Sequence, residues 1–153
     1  MKVLGLDIAT QTGWSVLDSA GLIEYGIIKI PTSKKAGLQA RLLAFKQEMI
    51  SLYEKIQPEV ICFEAVYSGP NVKTTQFLNM LRGIAVATMP ETSSMITVVA
   101  SSARLKVIGK GNCGKKGAFD WVKRKYLLNS FKFSTHNDIT DSIVLAEYGK
   151  LGR

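Results

Sequence analysis

The run Val3-Leu4-Gly5-Leu6-Asp7-Ile8 constrains the fold more than any other stretch of the chain. It is almost continuously apolar, the pattern of a central strand buried on both faces, and such strands belong to sheets covered by helices on either side. A carboxylate, Asp7, sits near its end. Burying a carboxylate is costly unless a cation, a metal or hydrogen-bond donors satisfy it, so Asp7 marks a place where the chain spends stability on something else.

The rest of the chain fills in that architecture. Residues 13–17 and 22–30 read as two hairpin-connected strands around the turn Asp18-Ser19-Ala20-Gly21. Leu38, Leu42, Phe45, Met49, Leu52 and Ile56 recur at helical spacing over 36–56, and Pro58 ends that helix. Val60-Ile61-Cys62-Phe63 is a second short buried strand, a helix is predicted over 72–88 and a strand over 95–99. A helix capped at Ser101 or Ser102, another over about 117–129 and a last one over 137–148 complete the chain. With 153 residues and no repeat, low-complexity tract or linker, this is an α/β chain expected to form one domain, 1–153, around a mixed sheet.

Glu64 repeats the Asp7 pattern: it follows directly on the apolar run Val60 to Phe63. Two acids at the C-terminal edges of two apolar strands point to one shared site, because open α/β sheets place ligands there. Asp138 and Asp141 lie three apart on the last predicted helix and share a face. Thr135-x-x-Asp138 also fits a capping box, which would give Asp138 a purely structural task. Four converging carboxylates with no balancing cation would repel one another; they are sensible as oxygen ligands of hard divalent ions. The absence of a Cys or His pair nearby favours Mg²⁺ or Mn²⁺ over Zn²⁺. Two such ions about 4 Å apart suit phosphodiester hydrolysis. His136, the one histidine, stands at a helix start, where capping is its usual task.

Charge supplies the substrate class. The chain carries a net charge of +8. Segment 101–132 holds Arg104, Lys106, Lys110, Lys115, Lys116, Lys123, Arg124, Lys125 and Lys132 against Asp120 alone, which equals the whole excess. A basic balance concentrated in this way points to nucleic-acid phosphates. Gly109 to Lys116 approaches a nucleotide-binding P-loop, but Lys116 stands where Ser or Thr must meet Mg²⁺, and residues 104–108 read as a helix end rather than a strand. The two cysteines, 62 and 113, are expected as free thiols, and no run approaches the ~18 apolar residues of a membrane span. The chain reads as soluble and cytoplasmic.

Several stretches together resemble the RuvC family of Holliday-junction resolvases, within the RNase H-like superfamily. They are Leu4-Gly5-Leu6-Asp7-Ile8-Ala9 with Thr12-Gly13-Trp14, Ile61-Cys62-Phe63-Glu64-Ala65-Val66-Tyr67, Gly83-Ile84-Ala85, Gly109-x-Gly111-x-x-x-Lys115 and Asp138-x-x-Asp141-Ser142-Ile143, in family order over nearly the whole chain. The resemblance implies an RNase H-like fold, a five-stranded mixed sheet with helices on both faces. It implies Asp7, Glu64, Asp138 and Asp141 as catalytic ligands of two Mg²⁺ or Mn²⁺ ions, and a homodimer that cuts opposed strands of a four-way junction to leave 5′-phosphate ends. Tyr67 matches a position where an aromatic ring stacks on a base, and Lys106 and Lys115 match basic DNA contacts; Lys110 and Lys116 add backbone contacts. The compact chain and extra lysines fit a bacteriophage-type member that also cuts flaps or forks. Two other readings stay open: an RNase H-like nuclease of the YqgF type acting on RNA, and a branched-DNA-binding relative without activity. Helix 72–88, with Phe77, Met80, Leu81 and Ile84, could serve a dimer interface or pack on the sheet.

Overall fold

The computed structural model describes residues 1–31, 36–66 and 69–152. The elements are β1 (Val3–Asp7), β2 (Gln11–Leu17), β3 (Leu22–Lys29), α1 (Leu38–Ile56), β4 (Val60–Glu64), α2 (Val72–Ala87), β5 (Ser94–Val98), α3 (Ala100–Ile108), α4 (Gly114–Lys125) and α5 (Phe133–Leu151). One five-stranded sheet runs in the order β3-β2-β1-β4-β5. The meander β1-β2-β3 is antiparallel, whereas β1, β4 and β5 run parallel, so the sheet is mixed as the sequence pattern predicts. Among the described residues, no helix is long and apolar enough to cross a membrane.

Strand parity sorts the side chains between two cores. Leu4, Leu6, Ile61 and Phe63 point to one face, where Phe45, Met49 and Leu52 of α1 and Leu81 and Ala85 of α2 cover them. Val3, Val60 and Cys62 point to the other, against Ile139, Ile143, Val144 and Ala146 of α5 and Ala118, Phe119 and Val122 of α4. Each fully buried Leu, Ile, Val or Phe contributes roughly 1.5–3 kcal/mol of transfer free energy. By the same alternation Asp7 and Glu64, each the last residue of its strand, fall on the α5 face.

Two glycines set how closely α5 approaches. A Cβ added at Gly5 would lie 2.0 Å from the Ser142 carbonyl oxygen, and one at Gly13 would lie 2.1 Å from that of Asp138. Gly13 pairs with Asp7 across the β1–β2 ladder. The helix therefore rests on backbone, which brings Asp138 and Asp141 down to Asp7.

Three helix boundaries differ from the sequence expectation. Helix α3 begins at Ala100 with Val99 as N-cap and no side-chain cap, so neither Ser101 nor Ser102 caps it. Helix α4 covers Gly114–Lys125 rather than 117–129: it begins three residues early with no side-chain cap, and Leu127, at φ 54°, turns the chain after it ends. This places Lys115 in a first helical turn rather than in a loop. Helix α5 starts four residues early, at Phe133. The His136 ring explains the early start: its Nδ1 accepts the Lys132 amide at 3.1 Å, and the ring stacks on Phe131 with centroids 4.4 Å apart. The capping box at Thr135 does not form, and Asp138 sits inside the helix.

Candidate active site

The four acids come together at the C-terminal ends of β1 and β4, beneath the N-terminal half of α5. Asp7 is 9% exposed and Asp141 5% exposed, while Glu64 and Asp138 are partly covered. Burial pushes the Asp7 carboxyl up to about 7, with Asp141, Glu64 and Asp138 adding upward and Lys115 opposing. Burial also raises Glu64, reinforced by Asp141 and opposed by Lys115 and Arg104, and it raises Asp138. The direction is common to all three and burial is its first cause: these carboxylates sit where their charged form is poorly solvated.

Two cations face the acids, which corrects the expectation of an uncompensated cluster. Lys115 Nζ lies 3.1 Å from Asp141 Oδ2 and 3.9 Å from Asp138 Oδ1. Arg104 donates to Asp141 Oδ1 at 3.4 Å. Asp141 Oδ2 is nonetheless buried without a hydrogen bond of good geometry, its contact with Lys115 being an ion pair. Four carboxylates against two cations leave a deficit of positive charge.

Among the described residues, no three of His, Cys, Asp and Glu close around a single point as a ready-made metal cage. The donor chemistry nevertheless suits a hard divalent ion: carboxylate oxygens alone, one of them buried without a hydrogen bond, and an ammonium paired with it.

A cleft of about 460 Å³ opens beside the acids. It is lined by Asp7, Glu64, Arg104 and Lys115 together with apolar Ile8, Val66 and Leu78 and with Asn71, Thr74 and Arg82. The basic segment divides along its helices. Arg104 shares the inward stripe of α3 with Ala103 and Val107, whereas Lys106, two residues on, is exposed on the opposite side. Lys110 is exposed, and Lys116 pairs with Asp120 one turn along α4. Tyr67 lies outside the described residues. His136 is engaged in capping, away from the carboxylates. Sequence reasoning singled out Lys106 and passed over Arg104, although the spacing of Ala103 and Val107 carried the signal. Arg82, too, went unnoticed. Gly109 ends α3 at φ 85°, and the segment follows a helix, so the P-loop-like pattern has no strand before it.

The family model for "Crossover junction endodeoxyribonuclease RuvC" matches residues 3–147. The chain belongs to the RuvC family. The RuvC of Protochlamydia amoebophila is 32% identical over 150 residues, spanning 94% of this chain and 87% of the relative. That of Finegoldia magna is 28% identical over 152 residues, spanning 95% and 90%. The Thermus thermophilus RuvC structure superposes with a TM-score of 0.80 at 17% identity, covering 99% of this chain and 97% of that one. T. thermophilus RuvC in complex with a Holliday junction substrate gives 0.77 at 14% identity, covering 97% and 91%. The yeast mitochondrial Holliday junction resolvase Ydc2 gives 0.62 at 16% identity, covering 95% and 77%. At such identities the superpositions establish the RNase H-like fold of the RuvC family, five strands with helices on both faces.

Proposed function

We propose that this chain is a metal-dependent, structure-selective DNA endonuclease that resolves four-way junctions, its single domain acting as a homodimer. One observation carries the reading: four carboxylates brought together at the C-terminal ends of β1 and β4 with, among the described residues, Lys115 and Arg104 to balance them. Family membership supplies the substrate class, and the net charge of +8 fits an anionic polymer.

Asp7, Glu64, Asp138 and Asp141 would hold two Mg²⁺ or Mn²⁺ ions, which when bound activate water and stabilise the leaving oxygen of a phosphodiester. Asp7 must release its proton to bind metal, since burial holds it near neutrality. Lys115 and Arg104 carry positive charge into the cleft wall, where a scissile phosphate is drawn in against the acids. Lys106, Lys110 and Lys116 extend that charge outward as backbone contacts, with Lys116 sharing its charge with Asp120. Tyr67 follows closely on Glu64 and is assigned to stacking on a base at the branch. A four-way junction has near two-fold symmetry, so paired cuts require two copies related in the same way. Leu81 packs on the sheet, which leaves Met80 and the outer side of α2 for the second copy.

The test is cleavage of matched four-way-junction, flap, linear duplex and structured-RNA substrates in Mg²⁺ or Mn²⁺. Paired, symmetric cuts in the junction and an intact duplex are the expected result. Preferential RNA cleavage would move the chain to an RNA-processing role, and no nicking with either metal would make it a binding protein.

A further inference from the structure

Arg82 of α2 reaches the strand that carries Glu64 from the α2 side, at the border of the acid-lined cleft. One guanidinium nitrogen donates to the Glu64 backbone carbonyl, and the other donates to Thr97 Oγ1 at 2.7 Å. The guanidinium also lies over the Phe63 ring, 5.2 Å from its centroid. Phe63 and Thr97 are register partners in the β4–β5 ladder. Arg82 thus joins α2, β4 and β5 at the point where β4 ends. On the other side of the sheet, the Glu64 side chain faces Asp141.

The group is costly for a mere staple. Arg82 is partly buried, and its hydrogen-bond partners among the described residues are a carbonyl and a hydroxyl, with no carboxylate to offset desolvation. Apolar residues such as Leu81 and Ala85 already hold α2 on the sheet. The cations that act electrostatically on the Glu64 carboxylate are Lys115 and Arg104. What Arg82 adds is a fixed fork of donors on the backbone of the residue whose carboxylate must be held in place.

We propose that Arg82 is a positioning residue: by gripping the Glu64 carbonyl and Thr97 it fixes the end of β4, so that the Glu64 carboxylate keeps its place opposite Asp7 and Asp141. The proposal rests on reading those acids as the metal site. Groups that orient metal ligands from outside the coordination sphere typically change metal affinity 10–100-fold when removed.

The experiment measures Mn²⁺ binding to the full chain by the resonance of free Mn²⁺, with junction affinity and melting followed in parallel. The variants are Arg82→Gln, Arg82→Lys, Glu64→Gln and the Arg82→Gln/Glu64→Gln pair. Arg82→Gln is expected to weaken Mn²⁺ binding about tenfold with junction affinity unchanged, and Arg82→Lys to recover part of the loss. In the Glu64→Gln background, Arg82→Gln should cost nothing more, because both changes act on one ligand. An equal Arg82→Gln loss in both backgrounds would overturn the proposal. So would weaker junction binding with intact Mn²⁺ binding, the mark of a direct phosphate contact. If Arg82→Gln melts too early to measure, Arg82→Lys decides alone: weakened Mn²⁺ binding at wild-type melting supports positioning, and wild-type binding overturns it. Should Glu64→Gln itself leave Mn²⁺ binding untouched, the reading of Glu64 as a ligand fails, and the Arg82 proposal with it.

Discussion

Helix α5 carries two carboxylates that are equally buried, Asp141 at 5% exposure and Glu147 at 6%, and they have opposite fates. Glu147, near the C-terminal end, accepts the Tyr126 hydroxyl and pairs with Lys125, so its charge is matched locally. Asp141, nearly two turns earlier, accepts from Arg104 and shares Lys115 with Asp138, but it lies beside Asp7 and Glu64 and keeps an oxygen without a hydrogen bond. Burial alone does not mark a functional acid. The balance of charge around it does, and that balance is struck at one end of α5 and left short at the other.

The comparison breaks most visibly in activity. Asp141→Asn should lower junction cleavage by about 10³-fold or more, about 4 kcal/mol of barrier, while Glu147→Gln should cleave at close to the wild-type rate. Stability should show the reverse order: Glu147→Gln weakens a satisfied network and costs about 1–3 kcal/mol in denaturant titrations, whereas Asp141→Asn removes surplus charge and costs less.

Asp7 sharpens the contrast through pH. Its folded carboxyl is raised to about 7 from the ordinary 3.8, so between those values the folded chain holds a proton that the unfolded chain has released. Stability in chelator therefore falls as pH rises from about 4 to about 7 and is level above that, a loss of at most about 4 kcal/mol from this group. Asp7→Asn should flatten that slope and melt higher than wild type at neutral pH, as thermal unfolding across the range will show. Cleavage at limiting Mn²⁺ should rise through the same interval as metal displaces the proton.

Gly13→Ala tests how the helix is seated. A methyl group directed at the Asp138 carbonyl should lift the acid end of α5 and cost about 1–3 kcal/mol of stability, together with a drop in Mn²⁺ affinity. The smallest effects belong to the outer lysines. Lys110→Ala should reduce the log–log salt slope of junction binding by about 0.9, and Lys116→Ala by less, because Asp120 already claims part of its charge. Lys125→Ala, whose partner is Glu147, should leave the slope unchanged.

Much of this was legible from residue order. The apolar runs ending in Asp7 and Glu64 disclosed two buried strands with an acid at the C-terminal edge of each, and so one shared site; that the strands are parallel neighbours came from the structure. The three-residue spacing of Asp138 and Asp141 disclosed their common helix face. What stayed hidden depended on where helices begin. Helix α5 starts early through a histidine side chain bonded to its own first turn, and α4 starts at Gly114, where a φ of 65° turns the chain into the helix with no side-chain cap. Neither leaves a standard capping pattern. That shift carried Lys115 out of a presumed DNA-binding loop and into the acid cluster. Arg104 was counted as charge without a direction, although α3 gives it the inward stripe and leaves Lys106 outside. Glu147, inside an apolar stretch, raised no question in sequence and has a plain structural answer in Lys125 and Tyr126.

The most direct measurement is cleavage and binding of one synthetic four-way junction by wild type and Asp7→Asn, side by side in Mg²⁺. On the proposed assignment the acids serve the metal and repel phosphate, so the variant should lose cutting and bind the junction at least as tightly as wild type. Cleavage by Asp7→Asn at the wild-type rate would contradict the assignment of this acid cluster as the active site.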